Sequence, residues 1–260
     1  MGTPPTAQPC AATQLARKLA SFVPLTPDEI PVLREIGSAT RSVRRRQDLV
    51  TEGKKYRALF LVIEGILMRY RILRDGRRQV VNLVMPGDFA GVPGCFFDTA
   101  LYSIKALTDS LVSTIPLNRL FALFDTHPRL AAKLFWSFSC EAAVYAEHLV
   151  GIGRRSALER VAHFLLELLT RLQVIGLADE RSYRIPLSQE LIGDALGLSL
   201  PYVNRVLRQL SDEGLVTIKD QRVEIQDVEA LAMLADFEQG YLKPLPIAEY
   251  LEGQRLELSA

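Results

Sequence analysis

Residues 189–207 have the sequence Gln189-Glu190-Leu191-Ile192-Gly193-Asp194-Ala195-Leu196-Gly197-Leu198-Ser199-Leu200-Pro201-Tyr202-Val203-Asn204-Arg205-Val206-Leu207. Gly193 is small at the point where two helices would cross closely, and Gly197 can adopt the left-handed conformation that ends the first helix. Leu198 is expected to fill the turn between the helices, and Ser199 to cap the second one. This order of residues predicts a helix-turn-helix.

The second predicted helix, about residues 199–210, has one apolar and one exposed face. Its predicted buried face consists of Val203, Val206, Leu207 and Leu210. The predicted DNA contacts are Ser199, Leu200, Pro201, Tyr202, Asn204, Arg205 and Arg208, together with Gln189 of the first helix. We expect Arg205 to bind a guanine through two guanidinium donors, with Tyr202 and Asn204 beside it.

An ordinary three-helix packing that binds no nucleic acid would also accept this pattern, because glycine at a helix corner is common. Residues 214–218 and 222–225 alternate in polarity around Lys219-Asp220-Gln221, as the two strands of a hairpin do. A hairpin directly after the two helices is typical of a winged helix and favours DNA binding. Asp212 and Glu213 lie near the basic residues, so non-specific binding should be modest and salt-sensitive.

The first half of the chain predicts a β-domain. Between residues 42 and 116, short β-branched and aliphatic runs are separated by glycine, at Gly65, Asp75-Gly76 and Pro86-Gly87. The predicted strands are 59–63, 66–73, 79–84, 103–107 and 111–115. Several brief strands with such turns predict an antiparallel sandwich or barrel.

A short helix is predicted ahead of these strands. Thr26 is placed as its N-cap, Pro27 at its first position, and Glu29 as the residue that reaches back in a capping box. Residues 1–25 are expected to form a flexible arm.

After the strands the pattern becomes helical, and apolar residues recur from Ala131 at alternating steps of four and three. The predicted seam consists of Phe135, Phe138, Ala142, Tyr145, Leu149 and Ile152. Such steps predict the contact surface of a two-stranded coiled coil, and they fit equally a helix that packs on its own domain. Trp136 and Val144 lie off the seam and are expected to cover the sheet domain.

A domain boundary is predicted directly after this helix. Gly151 and Gly153 are expected to interrupt it, and Ser156-Ala157-Leu158-Glu159 to start the next helix with a capping box.

Composition excludes several classes of protein. In 260 residues, 48% hydrophobic and 23% charged side chains with a net charge of +1 describe an ordinary folded protein. No stretch reaches the roughly 20 apolar residues of a membrane span, and the first residues lack the apolar core of a secretory signal. Cys10, Cys95 and Cys140 contain no close pair, which fits a reducing cytoplasm. No motif of a common enzyme class occurs, so catalysis and a metal site are not expected.

Several motifs occur together in a characteristic order, and they are Glu52-Gly53, Ile63-Glu64-Gly65, Asp75-Gly76-Arg77, Pro86-Gly87-Asp88-Phe89-Ala90-Gly91, Asp125-Thr126-His127-Pro128 and Ser156-Ala157-Leu158-Glu159-Arg160-Val161-Ala162. From about Asp28 to Tyr241 the chain therefore resembles the Crp/Fnr family of bacterial transcription regulators. The first four motifs resemble the family's cyclic-nucleotide-binding β-roll, and the last two resemble the starts of its dimer helix and of its DNA-binding domain.

The resemblance implies an α+β fold with an N-terminal double-stranded β-helix or jelly-roll sensor domain, a long central dimerisation helix and a C-terminal winged helix-turn-helix. The implied units are an arm (1–25), the sensor (26–126), the dimerisation helix (127–153), the DNA-binding domain (154–228) and a C-terminal helix and tail (229–260). The implied partners are a second copy of the chain, double-stranded DNA with a palindromic operator, RNA polymerase and an unknown small-molecule effector. The effector would reorient the helices at the Gly151/Gly153 break.

The chain departs from the family at the ligand contacts. Members that bind cyclic AMP hold the ribose with a Glu and the cyclic phosphate with an Arg-Ser pair, and here these positions are Val92 and Tyr102-Ser103. A buried cyclic phosphate without a cation would lose charge-assisted hydrogen bonds, so cyclic AMP is disfavoured. The expected effector pocket consists of Gly87, Gly91, Val92, Tyr102 and Ser103.

The cysteines and histidines of the sequence bear on two other cofactors, an iron–sulfur cluster and haem. Cys10 alone cannot supply the four thiolates of an iron–sulfur cluster, so that sensor is disfavoured. Haem-binding relatives exist, and His127, His148 and His163 are the histidines that could act as ligands, although each fits a structural role better. A β-roll sensor that acts through a protein partner, without binding DNA, remains the alternative function.

Overall fold

The structure is a computed structural model that describes residues 13–92 and 94–242. Short strands between Thr40 and Pro116 form two four-stranded antiparallel sheets, with strand orders β1-β8-β3-β6 and β2-β7-β4-β5. The strands are β1 (Thr40–Val43), β2 (Asp48–Val50), β3 (Ala58–Glu64), β4 (Leu67–Ile72), β5 (Arg78–Val84), β6 (Phe89–Ala90), β7 (Ser103–Ala106) and β8 (Ser110–Pro116). This is the predicted β-roll.

The runs predicted as strands are β3, β4, β5, β7 and β8, each within two residues of its expected bounds. The turn glycines take the left-handed backbone that the prediction requires, as Gly65 does with φ 83°. Strands β1, β2 and β6 were not predicted, because segments of two to four residues are too short to show an alternation of polarity.

The prediction of a flexible arm is wrong from residue 13 onward. Helix α1 (Thr13–Ala20) packs on the sensor, and Leu15 and Leu19 are completely buried. Their spacing of four residues places both on one face of a single short helix, whose stability comes from this packing. Residues 1–12, with Cys10, lie outside the described residues.

The first predicted helix begins later than expected. Helix α2 (Glu29–Ile36) starts three residues after Thr26, with Asp28 at the N-cap and no side-chain capping bond from it. Half of the predicted capping box is present, since the Thr26 amide donates to Glu29 Oε2 at 2.8 Å. The same carboxylate is buried and pairs with Lys133 at 2.6 Å. Glu29 therefore joins this helix to the central one.

Two further helices follow the strands, α3 (Leu117–Thr126) and the 27-residue α4 (Pro128–Arg154). The predicted break at Gly151 and Gly153 is wrong, because α4 continues through both and the backbone turns at Arg155, where ψ is 143°. A glycine inside a helix costs only about 1 kcal/mol, which is too little to end a long packed helix.

The predicted seam of α4 is divided between two faces. Phe138 packs edge-on against Phe89 of the sensor with ring centroids 5.4 Å apart, and Tyr145 donates to Glu141 at 2.8 Å next to Arg69. Both also contact the chain's own sensor, and Ala131 is buried, so the place of Phe138 and Tyr145 in a dimer seam stays a prediction. The other four residues of the predicted seam are exposed, namely Phe135, Ala142, Leu149 and Ile152. The small residues Ser139, Ala146 and Gly153, each one position beyond a seam residue, are exposed on the same face and complete a stripe with Phe135, Ala142 and Leu149.

The two residues predicted off the seam face the interior. Val144 is buried, and the Trp136 ring stacks on Phe22, two residues after α1, with centroids 4.5 Å apart, and lines a cavity together with Phe89 of the sensor.

The C-terminal domain begins with the predicted capping box, in which Ser156 Oγ accepts from the Glu159 amide and Glu159 accepts from the Ser156 amide. Its three-stranded sheet has the order β10-β11-β9, and β9 was not predicted. The elements are α5 (Ala157–Val174), β9 (Ser182–Arg184), α6 (Gln189–Leu196), α7 (Leu200–Asp212), β10 (Val216–Lys219), β11 (Arg222–Ile225) and α8 (Val228–Ala235). The winged helix-turn-helix is thus confirmed, and the tail beyond Leu242 lies outside the described residues.

One buried apolar cluster joins this domain to the sensor. It contains Met68 and Val80 from the sensor sheet together with Leu165, Ile192 and Leu196 from α5 and α6. Within residues 13–92 and 94–242, none of the helices combines the length with the continuous apolar character that a transmembrane span requires.

The turn between α6 and α7 depends on two glycines. Gly197 has φ 65°, and the Leu198 amide donates to the Gly193 carbonyl at 3.0 Å. A Cβ on Gly193 would lie 2.7 Å from the Leu198 carbonyl oxygen. Ser199 occupies the N-cap position, but its side chain makes no capping bond, contrary to the prediction.

We expect Gly193→Ala to destabilise the protein by about 1–3 kcal/mol, because the added methyl must displace a backbone carbonyl. Gly240→Ala is the matched control, since no atom lies within 4 Å of its added Cβ and the residue lies outside α4, α6 and α7. That change should leave the free energy of unfolding within about 0.5 kcal/mol of the original value. Denaturant unfolding measures both, and equal effects of the two substitutions would contradict the close crossing of α6 and α7.

Candidate nucleic-acid interface

The polar edge of α7 faces solvent, and its apolar face is buried. Val203 and Leu210 are fully buried and Val206 nearly so, whereas Leu200 is 53% and Tyr202 43% exposed. The residues that line the shallow groove along this edge are Gln189, Leu200, Pro201, Asn204, Arg205 and Arg208. With Tyr202 beside the groove, the structure brings together the side chains named as DNA contacts, and Ser199 lies exposed at the start of the helix.

Two contacts organise this edge. Asn204 Nδ2 donates to Gln189 Oε1 at 3.2 Å, which links α7 to the first helix of the motif. The Arg205 guanidinium lies 5.2 Å from the centre of the Tyr202 ring, at the distance of a cation–π contact. Tyr202 and Arg205 therefore contact each other on the exposed edge.

The charges on this edge are free to act on a ligand. Within the described residues, neither Arg205 nor Arg208 forms an ion pair with a carboxylate. An exposed helix edge with two unpaired guanidinium groups can bind phosphates and base edges in a major groove.

The wing is a tight hairpin. β10 pairs with β11 from Val216↔Ile225 to Lys219↔Arg222, and the two turn residues, Asp220 and Gln221, have φ of 51° and 63°. These values are typical of the two-residue turns that match the twist of a hairpin. Lys219 is exposed next to the turn, where a phosphate backbone could reach it.

The sensor contacts the first helix of the motif directly. Arg78, the first residue of β5, lies 2.6 Å from Asp194 Oδ2 and 3.2 Å from Glu190 Oε1, both on α6. Gln79 Nε2 donates to the Ala195 carbonyl at 3.0 Å. Sequence reasoning missed this contact, because neither charge pattern nor spacing relates residues more than 110 positions apart.

Two of the five residues of the expected effector pocket, Gly91 and Ser103, already hydrogen-bond to other groups of the protein. The Tyr56 hydroxyl donates to the Gly91 carbonyl at 2.5 Å, and burial raises the pKa of Tyr56 to about 12. Ser103 Oγ accepts from the Glu52 amide at 3.0 Å. Gly87 packs against the backbone of α1, while Val92 and Tyr102 are half-buried. A ligand site at these residues stays a prediction.

A cavity of about 60 Å³ lies elsewhere, where α1, the turn before β6, α4 and α5 meet. Its apolar walls include Trp136 and Phe138, and none of the five residues lines it. Asp88 lies on its polar side. Burial opposes ionisation of Asp88, but Lys18 at 2.5 Å and Arg171 at 3.0 Å keep its pKa below the ordinary value. The cavity has room for a few water molecules.

A buried guanidinium connects the sensor to the central helix. Arg69 of β4 is 2% exposed, and its Nη1 lies 2.9 Å from Glu141 Oε1 and also contacts the Tyr145 hydroxyl. Burial raises the pKa of Glu141 above its usual range, although Arg69 acts in the opposite direction. Such a pair holds α4 to the sheet, because separating it would leave a buried charge uncompensated.

The histidines have protein partners. His148 Nε2 lies 2.8 Å from Glu167 Oε2, His163 Nε2 lies 3.5 Å from Glu147 Oε2, and His127 Nδ1 lies 2.9 Å from Thr126 Oγ1. Within residues 13–92 and 94–242, no three histidine, cysteine or acidic side chains are grouped as metal ligands. Burial raises the pKa of the Cys95 thiol to about 11 and also raises that of Cys140.

Two family models match the chain. Residues 40–127 match the cyclic nucleotide-binding domain, and residues 159–234 match the Crp-like helix-turn-helix domain. The cyclic-nucleotide match covers strands β1–β8 and α3, and the helix-turn-helix match covers the groove residues on α6 and α7.

Whole-chain relatives agree with these matches. The nitrogen fixation regulation protein FixK of Bradyrhizobium diazoefficiens is 31% identical over 199 residues, which are 75% of this chain and 80% of that protein. The transcriptional activator protein anr of Pseudomonas aeruginosa is 28% identical over 211 residues, covering 81% of this chain and 86% of anr. The solved structure of FixK2 from Bradyrhizobium japonicum is similar with a TM-score of 0.67 and 28% identity, over 75% of this chain and 96% of that one.

His163 makes the stability of the C-terminal domain depend on pH. Burial, followed by the charge of Arg155, lowers its pKa to about 4. Between about pH 6.5 and 4 the unfolded chain binds a proton that the folded chain does not, so the free energy of unfolding should fall by up to about 3 kcal/mol. Above about pH 6.5, the pKa of histidine in the unfolded chain, the full stabilising effect of neutral His163 is present. His163→Phe should flatten that part of the profile in denaturant titrations, and parallel profiles for the two proteins would contradict the assignment.

Proposed function

This chain belongs to the Crp/Fnr family of DNA-binding transcription regulators, and we propose that two copies of it bind one operator through their α7 helices. Members of the family bind DNA and act as dimers, and they are regulators rather than enzymes. The observation that carries the proposal is the outward polar edge of α7, with Arg205 and Arg208 free of carboxylate partners among the described residues. A helix in that position can enter a major groove.

We propose that the second copy packs along the exposed stripe of α4. Phe135, Ala142 and Leu149 lie seven residues apart on one face, and Phe135 and Leu149 are 69% and 73% exposed. Small residues at 139 and 146 stand between them and allow two helices to approach closely. The stripe lies one position away from Phe138 and Tyr145, which already contact the sensor.

The proposed operator follows from the symmetry of such a dimer. Each copy presents one recognition helix, and the two helices must be about 34 Å apart to reach successive major grooves on the same side of a duplex. The proposed site is therefore palindromic. Arg205 is assigned to a guanine in each half, with Tyr202 and Asn204 beside it.

We propose that the signal is not cyclic AMP. Tyr102 stands where cyclic-AMP-binding relatives have the phosphate-binding arginine, and the hydroxyl of Ser103 already accepts a backbone hydrogen bond. A small-molecule effector of another kind is part of the proposal, as are action in the cytoplasm and a contact with RNA polymerase. The activator named among the relatives supports the polymerase contact.

Selection from a pool of random duplexes tests the proposal. The recovered sequences should share a palindrome with one guanine per half that depends on Arg205, and cyclic AMP should leave the affinity unchanged. A protein that retains no duplex under oxidising or reducing conditions would support instead a sensor acting through a protein partner. Cyclic-AMP-dependent recovery would overturn only the effector proposal.

Arg205→Ala should weaken binding to the selected duplex by about 1–3 kcal/mol and relax the preference at one base position per half-site. The loss arises because a bidentate contact to guanine has no substitute in alanine. Gln209→Ala, an exposed change on the same helix outside the groove, is the control and should leave affinity and preference intact. Gel-shift titrations across a randomised half-site measure the affinity and the base preference. An unchanged base preference in the Arg205 variant would contradict a role of Arg205 in base readout.

Leu149→Glu should convert the dimer to monomers, because it places two carboxylates opposite each other along the α4 stripe. Met233→Glu introduces the same charge at a side chain that is 80% exposed on α8 and should leave the dimer intact. Sedimentation velocity at matched concentrations measures the outcome. If the Leu149 variant stays dimeric, the dimer interface does not include this stripe.

A further inference from the structure

The ion pairs between Arg78 and α6 neutralise charges on the first helix of the helix-turn-helix. Nε and Nη2 of Arg78 lie 2.7 and 2.6 Å from Asp194 Oδ2, and Nη2 lies 3.2 Å from Glu190 Oε1. The Glu190 side chain is 73% exposed, whereas those of Arg78 and Asp194 are 29% and 22% exposed. One sensor cation therefore serves two carboxylates of the DNA-binding domain.

The position of α6 gives these carboxylates a consequence for DNA binding. In a bound helix-turn-helix, the first helix crosses the phosphate backbone while the second lies in the groove. Glu190 follows Gln189, which lines the groove with Arg205 and accepts the hydrogen bond from Asn204. Carboxylates next to phosphates repel them, over a range of about 10 Å at ordinary salt.

We propose that Arg78 is a positioning residue for DNA binding that masks the charge of Glu190 and Asp194 and so couples the sensor to the affinity of the helix-turn-helix. The inference rests on the proposed function of α7. When the β4–β5 hairpin is docked, Arg78 offsets one of the two negative charges that α6 carries, so the formal charge near the duplex is −1. When the hairpin moves away, that charge becomes −2 and DNA binds less tightly.

The coupling is reciprocal, as any linkage between two equilibria must be. A duplex that binds more tightly when Arg78 pairs with Glu190 and Asp194 also stabilises the docked position of the β4–β5 hairpin. A signal that moves β4 or β5 would therefore change DNA affinity without touching α7, and no bend in α4 is needed for it.

The docking of the β4–β5 hairpin on α6 does not depend on Arg78 alone. Val80 and Met68 of the hairpin belong to the same buried cluster as Ile192 and Leu196, and Gln79 donates to the Ala195 carbonyl. A variant that removes only the charge of Arg78 should therefore keep the fold and the docking, so that its effect on DNA reports the masking.

The test compares Arg78→Gln with Arg77→Gln, which removes the same charge one residue away. Arg77 is 78% exposed and pairs with Asp75 in the hairpin turn instead of with α6. The probes are the duplex recovered in the selection above and a random-sequence duplex of equal length. Arg78→Gln should weaken both by about fivefold to tenfold at low salt, with the defect shrinking as salt rises, whereas Arg77→Gln should have little effect.

A second background separates masking from a merely structural role. In Glu190→Gln/Asp194→Asn, the two carboxylates whose repulsion Arg78 offsets are absent, so this variant should bind both duplexes more tightly than the unchanged protein at low salt. Unchanged or weaker binding by this variant, with an unchanged unfolding temperature, would overturn the proposal, because the charges of α6 would then not act on the phosphates. Tighter binding by Arg78→Gln in the native background would also overturn it, because the contact would then be inhibitory.

Failure of this inference can be told from failure of the proposed function. If the unchanged protein binds no duplex, the proposed function of α7 is wrong. If it binds, and if Arg78→Gln has the same affinity at every salt concentration and the same unfolding temperature, only the proposed masking role of Arg78 is wrong.

Discussion

Helices α6 and α7 can cross as closely as they do because residue 193 has no side chain. The Leu198 carbonyl occupies the place that a Cβ would take, and the Gly193 carbonyl in turn accepts the Leu198 amide. The left-handed backbone of Gly197 turns the chain there. The crossing places Val203 in the core and so leaves Arg205 and Asn204 outside. Every proposal about DNA depends on this arrangement, because a rotated α7 would bury the same polar side chains.

Charges, rather than apolar area alone, organise the contacts between the parts of the chain. Lys133 and Glu29 join α4 to α2, Arg69 and Glu141 join α4 to the sheet, and Arg171 and Asp88 join α5 to the sensor. Each pair is largely buried, so removing one partner would leave a charge that water cannot reach. Pairs of this kind favour one relative placement of the elements over others of similar apolar area. Arg78 differs because its partners are near solvent, where their charge can act on a ligand.

The sensor has the family's fold, and two of the groups expected to bind an effector already hydrogen-bond within the protein. Tyr56 donates to the Gly91 carbonyl, and Ser103 accepts from the Glu52 amide. Arg69, the buried cation of β4, is held by Glu141 of the central helix. A ligand that entered at these residues would have to replace these bonds with its own. The ion pairs of Arg69 with Glu141 and of Arg78 with Asp194 join the sensor to α4 and α6.

The sequence by itself determined the elements whose cause is local. The left-handed Gly197, the capping box of Ser156 and Glu159, the hairpin at Asp220-Gln221 and the apolar period of Val203 to Leu210 each depend on neighbours within a few residues. The polar edge of α7 could be identified from the same period. Tertiary structure alone decided the contacts between distant residues. Packing on the sensor buries one face of α1 and holds Tyr145 beside Arg69 and Glu141, and only the folded chain brings Arg78 to Asp194. Local sequence patterns do not predict such pairs, because the free energy that stabilises them comes from burial and charge interactions between elements that are far apart in the chain.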